Sequence, residues 1–294
     1  MENTEKIKSE NLKRNVKLKD GKLVNAIGQG TWHMGEKHSE KTKEIKALQL
    51  GIDLGLTLID TAEMYGGGGA EEVTGEAVKT LRDRIFLVSK VYPQNAGKKN
   101  AVKACENSLK RLGTDYLDLY LLHWRGSIPL NETVEAMEQL VKDGKIKRWG
   151  VSNFDKEDME ELWEIPRGSN CAVNQVLYHL GSRGIEYDLL PWCRERNVPV
   201  MAYCPVAQGG ALRRELLENK IVKKIAKARG ISEVQVLLAW TVRENDIISI
   251  PKAVQEKHIY ENAKTAGIFL SEKEILELDG EFPSPKRKIH LDIV

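Results

Sequence analysis

The chain has no run approaching the roughly 20 consecutive apolar residues that a helix needs to cross a bilayer, so no membrane-spanning role is expected. Residues 1–14, starting Met1-Glu2-Asn3-Thr4-Glu5-Lys6, are charged and lack the apolar centre of a signal peptide, and we expect a flexible arm there and a cytoplasmic protein. Only four cysteines occur (Cys105, Cys171, Cys193 and Cys204), and none forms a Cys-x-x-Cys pair, which excludes a disulfide framework and leaves reduced thiols as the expectation. His33, His38, His179 and His290 have no metal-binding spacing, and no metal site is expected. Net charge is almost absent too: 45 basic and 43 acidic side chains leave a formal +2. No basic stripe for nucleic acid follows from that balance, and a small-molecule partner is expected instead.

Phosphate-loop signatures are missing as well. Gly66-Gly67-Gly68-Gly69 is not followed by Gly-Lys-Ser/Thr and reads as a flexible loop beside Tyr65. Gly28-Gln29-Gly30 starts like a dinucleotide fingerprint, but His33 stands where the third glycine belongs. No linker or low-complexity stretch splits the 294 residues, a length ordinary for one α/β barrel. Such a chain buries about three quarters of its unfolded surface and needs neither metal nor disulfide to fold.

What is present is an alternation. Asp20-Gly21 between Val16-Lys17-Leu18-Lys19 and Lys22-Leu23-Val24 predicts an N-terminal β-hairpin with a two-residue turn. Beyond it, strand-like runs at 26–30, 57–60, 85–89, 116–122, 147–151, 171–174, 198–202 and 247–250 alternate with helical segments. Those segments lie near 40–54, 70–81, 99–111, 131–142, 155–164, 185–196, 232–244 and 256–265, with an extra one late in the chain at 215–229. Ile45, Leu48, Ile52 and Leu56 recur at helical steps, and Ser232…Gln235 and Ser271…Glu274 fit the capping box. Eight strand–helix repeats predict a single (β/α)8 TIM barrel over residues 15–294, with a C-terminal tail at 282–294. The tail carries Lys286-Arg287-Lys288, read as a solvated cluster or as part of a flap over the barrel mouth.

Polar residues end several of the apolar runs. Asp60 closes Thr57-Leu58-Ile59, Lys90 closes Ile85-Phe86-Leu87-Val88-Ser89, and His123 closes the run from Tyr116 to Leu122; Tyr65 lies shortly after Asp60. Thr31, Asp60, Lys90, His123 and Asn153 recur at steps of roughly 30 residues, one βα unit each. In a barrel the carboxyl ends of the strands share one face, so an acid, an amine, an imidazole and a phenol would meet there. That set suits proton delivery to a carbonyl. Lys90 would stabilise the Tyr65 phenolate and lower the phenol's pKa, Asp60 would keep the amine charged, and His123 would donate to the carbonyl oxygen.

The segments Asp60-Thr61-Ala62-Glu63-Met64-Tyr65-Gly66, Ser89-Lys90, Leu122-His123 and Gly150-Val151-Ser152-Asn153-Phe154 resemble the signatures of the aldo-keto reductase superfamily, and the likeness runs from about Gly28 to Asp279. The resemblance implies Tyr65 as proton donor, Asp60 and Lys90 as its partners, and His123 at the substrate oxygen. It also implies NADPH, with NADH possible, bound extended across the barrel mouth without a Rossmann domain. Position by position, it places Gly30 and Thr31 near the nicotinamide, with Trp32 on the substrate pocket. Ser152, Asn153 and Gln175 would hold the carboxamide, and Tyr203, ahead of Cys204 and Pro205, would stack on the ring. Cys204 stands where serine is usual. Lys252, Glu261 and Asn262 match the adenosine end, with Lys252 on the 2′-phosphate.

His258 departs from the family pattern, in which many NADPH-specific members carry Arg. Arginine is always charged and forks onto phosphate, whereas histidine is mostly neutral at pH 7. The resemblance therefore implies a weaker NADPH preference here, growing as pH falls. Trp124 reads as core or pocket wall. The connection Trp124-Arg125-Gly126-Ser127-Ile128-Pro129-Leu130 is too short to narrow the mouth. With the closeness of the whole chain to bacterial reductases of methylglyoxal and similar carbonyls, it points to a small aldehyde or dicarbonyl substrate; the resemblance to the family implies a monomer. Two rivals stay open at this stage: a Schiff-base lyase using Lys90, and a non-catalytic module that senses redox state through bound cofactor.

Overall fold

Val16 and Val24, both buried, pair across the first hairpin: β1 (Asn15–Lys17) and β2 (Leu23–Asn25) run antiparallel with Val16 opposite Val24. These coordinates are a computed structural model, which describes residues 2–294. The turn holds three residues rather than two, because Leu18 N–H donates to Lys22 O at 2.8 Å and Gly21 takes the left-handed conformation at φ 88°. A three-residue loop ending in a left-handed glycine is the next commonest hairpin solution, and Asp20-Gly21 serves it equally well.

Eight parallel strands follow: β3 (Gln29–Gly30), β4 (Leu58–Asp60), β5 (Phe86–Val91), β6 (Leu119–Leu122), β7 (Trp149–Ser152), β8 (Asn174–Leu177), β9 (Val200–Tyr203) and β10 (Ile247–Ser249). They are ordered as in the chain, each beside its sequence neighbour. The last meets the first: Gly28 N–H donates to Ser249 O at 2.8 Å, Ser249 N–H to Ala26 O at 2.8 Å, and Gly30 N–H to Pro251 O at 3.1 Å. The sheet therefore closes into the expected barrel. Closure explains Gly30, where a Cβ would lie 2.7 Å from Ile250 O.

Side chains alternate faces along a strand, and the two apolar clusters follow that alternation. Ile59, Leu87, Val91, Tyr120, Leu122, Val151, Val176 and Ala202 face the helices. Leu58, Val88, Leu119, Leu121, Val173, Met201 and Ile248 fill the barrel together with Val16, Leu18 and Val24 of the hairpin. On five strands the inward position after the last filler is polar: Asp60 after Leu58, Lys90 after Val88, His123 after Leu121, Gln175 after Val173 and Tyr203 after Met201. One period-two pattern thus builds an apolar floor and a polar upper layer at the carboxyl ends.

Several elements differ from expectation. Residues Glu2–Lys13 form a docked helix rather than a flexible arm. Ile7 is buried, Asn11 donates to the carbonyls of Ile7, Leu54 and Ala263 at 2.9–3.1 Å, and Arg14 donates to those of Val242 and Ile268 at 2.7 Å. The abundant charge hid those anchors. β8 lies three residues later than the apolar run Cys171-Ala172-Val173 suggested, because polar Asn174 and Gln175 are strand residues facing inward. The helix expected over 185–196 shortens to Leu189–Glu195. The late segment splits into Gly210–Glu218 and Lys220–Arg229, where Asn219 caps the second helix through Ile221 N–H and Val222 N–H. Both expected capping boxes form, at Ser232–Gln235 and Ser271–Glu274. Among the described residues no helix is long and apolar enough to cross a membrane.

Candidate active site

Lys90 sits at the centre of the polar layer with its side chain fully buried. Its Nζ donates to Asp60 Oδ2 at 2.7 Å, to Thr61 O at 2.9 Å and to Tyr65 Oη at 3.0 Å. Three acceptors account for all three ammonium protons. The amine is held charged: burial opposes charge, but Asp60 and then Tyr65 outweigh it and raise the Lys90 pKa above its ordinary value. A charged, fully engaged amine has no lone pair for carbonyl attack, which removes the geometric basis of a Schiff-base lyase.

Tyr65 is half-buried, and its hydroxyl is the end that meets Lys90. Here the balance corrects the expectation. Burial of the phenol is the largest influence and raises its pKa; Lys90 lowers it, Asp60 raises it, and the outcome lies above the ordinary value of 10. The cation restrains the shift without reversing it. The turn that carries Tyr65 is left-handed backbone: Gly66, Gly67 and Gly68 take φ of 58°, 62° and 97°. A Cβ on Gly68 would lie 2.6 Å from Cδ of Arg111, whose Nε donates to buried Glu71 at 2.6 Å.

His123 presents its ring edge to Tyr65, with centroids 5.7 Å apart and planes at 76°. Burial and the charge on Lys90 push its pKa down to about 2, so the ring is neutral. Its Nδ1 is buried without a partner. Trp124 packs against His123 at 4.8 Å and against Tyr92 at 5.9 Å, and Trp124 and Trp32 both line the cavity above the four polar groups.

That cavity measures about 630 Å³, within the range of small-molecule sites. Asp60, Tyr65 and His123 line one part, with Gly30, Thr31, Ser152, Asn153, Gln175 and Tyr203 beside them; Lys90 lies beneath. Thr31 Oγ1 donates to Asp60 O at 3.0 Å and Ser152 Oγ to Gln175 O at 2.8 Å. Asn153 takes a left-handed backbone at φ 58°, donates to His123 O at 3.1 Å and accepts from Tyr203 Oη at 2.8 Å. Cys204 also takes positive φ, and burial pushes its thiol up to about 11, so it is no thiolate. The cavity continues past Pro205 to Lys252, His258, Glu261 and Asn262. Lys252 and His258 are exposed and make no ion pair among the described residues. This lining, with amide side chains beside Tyr65 and the basic side chains of Lys252 and His258 elsewhere in the wall, fits a dinucleotide carrying phosphate.

Sequence reasoning missed one part of the wall and offered another only as an alternative. Arg213, on helix Gly210–Glu218, lines the cavity and donates to Ala207 O at 3.3 Å, and no local pattern marked it. The tail was flagged as a possible flap, and its last residues, Ile293 and Val294, do line the cavity. Of the basic cluster, Lys286 and Arg287 are exposed, whereas Lys288 binds Asp155 at 2.5 Å and Asp188 at 3.0 Å. Ser182 Oγ donates to Asp292, and Ile289 packs on Gly184, holding the strap down further along.

Comparison with known proteins gives a consistent picture. A profile of the Aldo/keto reductase family matches residues 26–280. Methylglyoxal reductase YeaE of Escherichia coli K12 is 60% identical over 269 residues, 92% of this chain and 95% of its own. Glyoxal reductase of Bacillus subtilis 168 is 35% identical over 271 residues, 91% of this chain and 92% of its own. The crystal structure of an aldo/keto reductase from Klebsiella pneumoniae in complex with NADP and acetate superposes with a TM-score of 0.94 at 58% identity, covering 96% of this chain and 100% of that one.

Proposed function

The chain belongs to the Aldo/keto reductase family, and from that membership we propose that it is an NADPH-dependent enzyme reducing small aldehydes and dicarbonyls, methylglyoxal and glyoxal among them, to alcohols. The observation that carries this reading is the triply bound Lys90, whose ammonium touches the carboxylate of Asp60 and the hydroxyl of Tyr65 at the cavity floor. The reductase names of relatives at 60% and 35% identity support the substrate class, and NADP and NADPH in the Klebsiella structures support the cofactor.

The geometry supports the following roles. When bound, the nicotinamide supplies a hydride to the carbonyl carbon. Neutral His123 donates a hydrogen bond from Nε2 to the carbonyl oxygen and orients it over Tyr65. Tyr65 gives its proton to that oxygen as negative charge develops there. A phenol with raised pKa is fully protonated at neutral pH, yet far more acidic than the alcohol that forms, so proton transfer to the developing alkoxide is downhill. Lys90 stabilises the phenolate left behind, and Asp60 balances the charge of Lys90. Trp32 and Trp124 wall the substrate space.

Ser152, Asn153 and Gln175 would hold the carboxamide of the cofactor, Tyr203 would stack on the ring beside Gly30 and Thr31, and Pro205 shapes the passage onward. Lys252, His258, Glu261 and Asn262 would hold the adenosine end. Among the described residues all four cysteines are free, in keeping with a reducing cytoplasm. The near balance of charge supports an enzyme without a nucleic-acid partner, and we take it to act as a monomer. A panel of small aldehydes and dicarbonyls assayed by NADPH consumption tests the proposal. Turnover of the dicarbonyls is expected, and cofactor binding without turnover of any carbonyl would overturn it in favour of a redox-sensing module.

A further inference from the structure

Gln175 occupies a junction that neither cofactor binding nor proton delivery accounts for alone. Asp60 is almost fully buried and has two carboxylate oxygens to satisfy. Oδ2 takes Lys90; Oδ1 accepts from Gln175 Nε2 at 2.8 Å, across 115 residues of sequence. A carboxylate that binds an ammonium can only accept, so the amide nitrogen of Gln175 must be the end facing Asp60. That fixes the other end: Gln175 Oε1 accepts no hydrogen bond within the protein, it is not a sealed buried atom, and Gln175 lines the cavity. A planar amide held by a carboxylate on one side thus offers one acceptor to whatever fills the nicotinamide end. Only a ligand with an N–H or O–H donor there satisfies it, and a carboxamide NH2 is such a group.

We propose that Gln175 is a positioning residue that joins the carboxamide of the cofactor to the Asp60 carboxylate, so that one side chain both orients the ring and disperses the negative charge facing Lys90 and Tyr65. The inference rests on the cofactor reading above. Its physical content is a chain of polarised bonds from ring substituent to amide, carboxylate, ammonium and phenol. Neutralising part of the Asp60 charge from the Gln175 side makes the field at Tyr65 less negative and its proton easier to give. The other groups facing Tyr65 are Lys90, which favours the phenolate, Cys204, which disfavours it only as a thiolate, and His123, which is neutral.

The test uses Gln175→Met, similar in volume and without a donor, and needs no turnover. With tyrosine ring carbons labelled and Tyr65 assigned by its loss in Tyr65→Phe, NMR follows the Tyr65 titration in the cofactor-free enzyme. Gln175→Met is expected to shift that titration upward by about half a pH unit or more. A second arm measures dissociation constants for NADPH and for its reduced 3-acetylpyridine analogue, which lacks the amide donor. The analogue is expected to bind wild type about tenfold more weakly than NADPH does, and the exchange is expected to cost Gln175→Met little. If Gln175→Met does not fold, Gln175→Asn, one methylene too short to span both partners, replaces it. An unmoved Tyr65 titration, or the same analogue penalty in both proteins, overturns the proposal. Failure of wild type to bind NADPH at all would instead overturn the cofactor reading.

Discussion

Replacing Lys90 by methionine removes one cation from the centre of the site and keeps the volume of the buried side chain. The ammonium lies 3.0 Å from Tyr65 Oη, and at an effective dielectric constant of about 20 its attraction for a phenolate there is about 5 kcal/mol, or about four pKa units. Only part of that charge has developed on the phenol in the transition state. If about half is felt, the barrier rises by about 2.5 kcal/mol, and kcat for carbonyl reduction falls on the order of 100-fold. Alcohol oxidation begins from the phenolate and should lose more. The same substitution leaves Asp60 buried with Gln175 as its remaining side-chain donor, which costs on the order of 3 kcal/mol of stability. Adding Asp60→Asn removes the unpaired charge, so the double variant should regain most of the stability and none of the rate. Single-turnover kinetics with NADPH bound beforehand, alongside urea unfolding, separates the two effects. A loss under threefold in the chemical step, or recovery of rate in the double variant, would refute the reasoning.

The pH profile of the wild type follows from the same groups. Reduction needs protonated Tyr65, whose pKa is raised, and His123 stays neutral down to about pH 2, so kcat/KM for the carbonyl at saturating NADPH should be level from about pH 6 to about pH 9 and fall only as pH climbs through the phenol; a limb between pH 6 and 8 would contradict this. His258→Arg should raise the ratio of kcat/KM for NADPH over NADH by about tenfold, since a guanidinium forks onto phosphate with permanent charge. Lys288→Ala should free the strap that carries Ile293 and Val294, raising KM for small dicarbonyls several-fold, while thermal unfolding hardly moves because these ion pairs are partly solvated. Unchanged KM would show that the strap holds without Lys288.

The barrel was legible because its signal is local and repeated: short apolar runs alternate with helical segments, and on several strands the inward row ends in a polar residue, as at Asp60, Lys90, His123 and Tyr203. The meeting of Asp60, Tyr65, Lys90 and His123 was legible for the same reason, since shared register brings strand ends together. What escaped reading is held by contacts far apart in sequence. Asn11 meets Ala263 and Arg14 meets Ile268, so nothing near residue 11 announces a docked helix. Lys288 looked like its neighbours Lys286 and Arg287 until folding brought Asp155 and Asp188 beside it. Gln175 was marked by resemblance for the carboxamide alone, because its bond to Asp60 exists only once β4 and β8 face each other across the closed barrel. The direction of the Tyr65 shift could not be read either: sequence shows a cation nearby but not how much water the phenol loses.

The central claim is that Tyr65 delivers a proton to a carbonyl above a buried, charged Lys90. Its most direct test is the rate at which enzyme-bound NADPH is oxidised by methylglyoxal in a single turnover, compared between wild type and Tyr65→Phe, with the dissociation constant for NADPH measured on both. The account predicts equal NADPH affinity and a rate lower by about 10²-fold or more in Tyr65→Phe. Equal rates in the two proteins would contradict it.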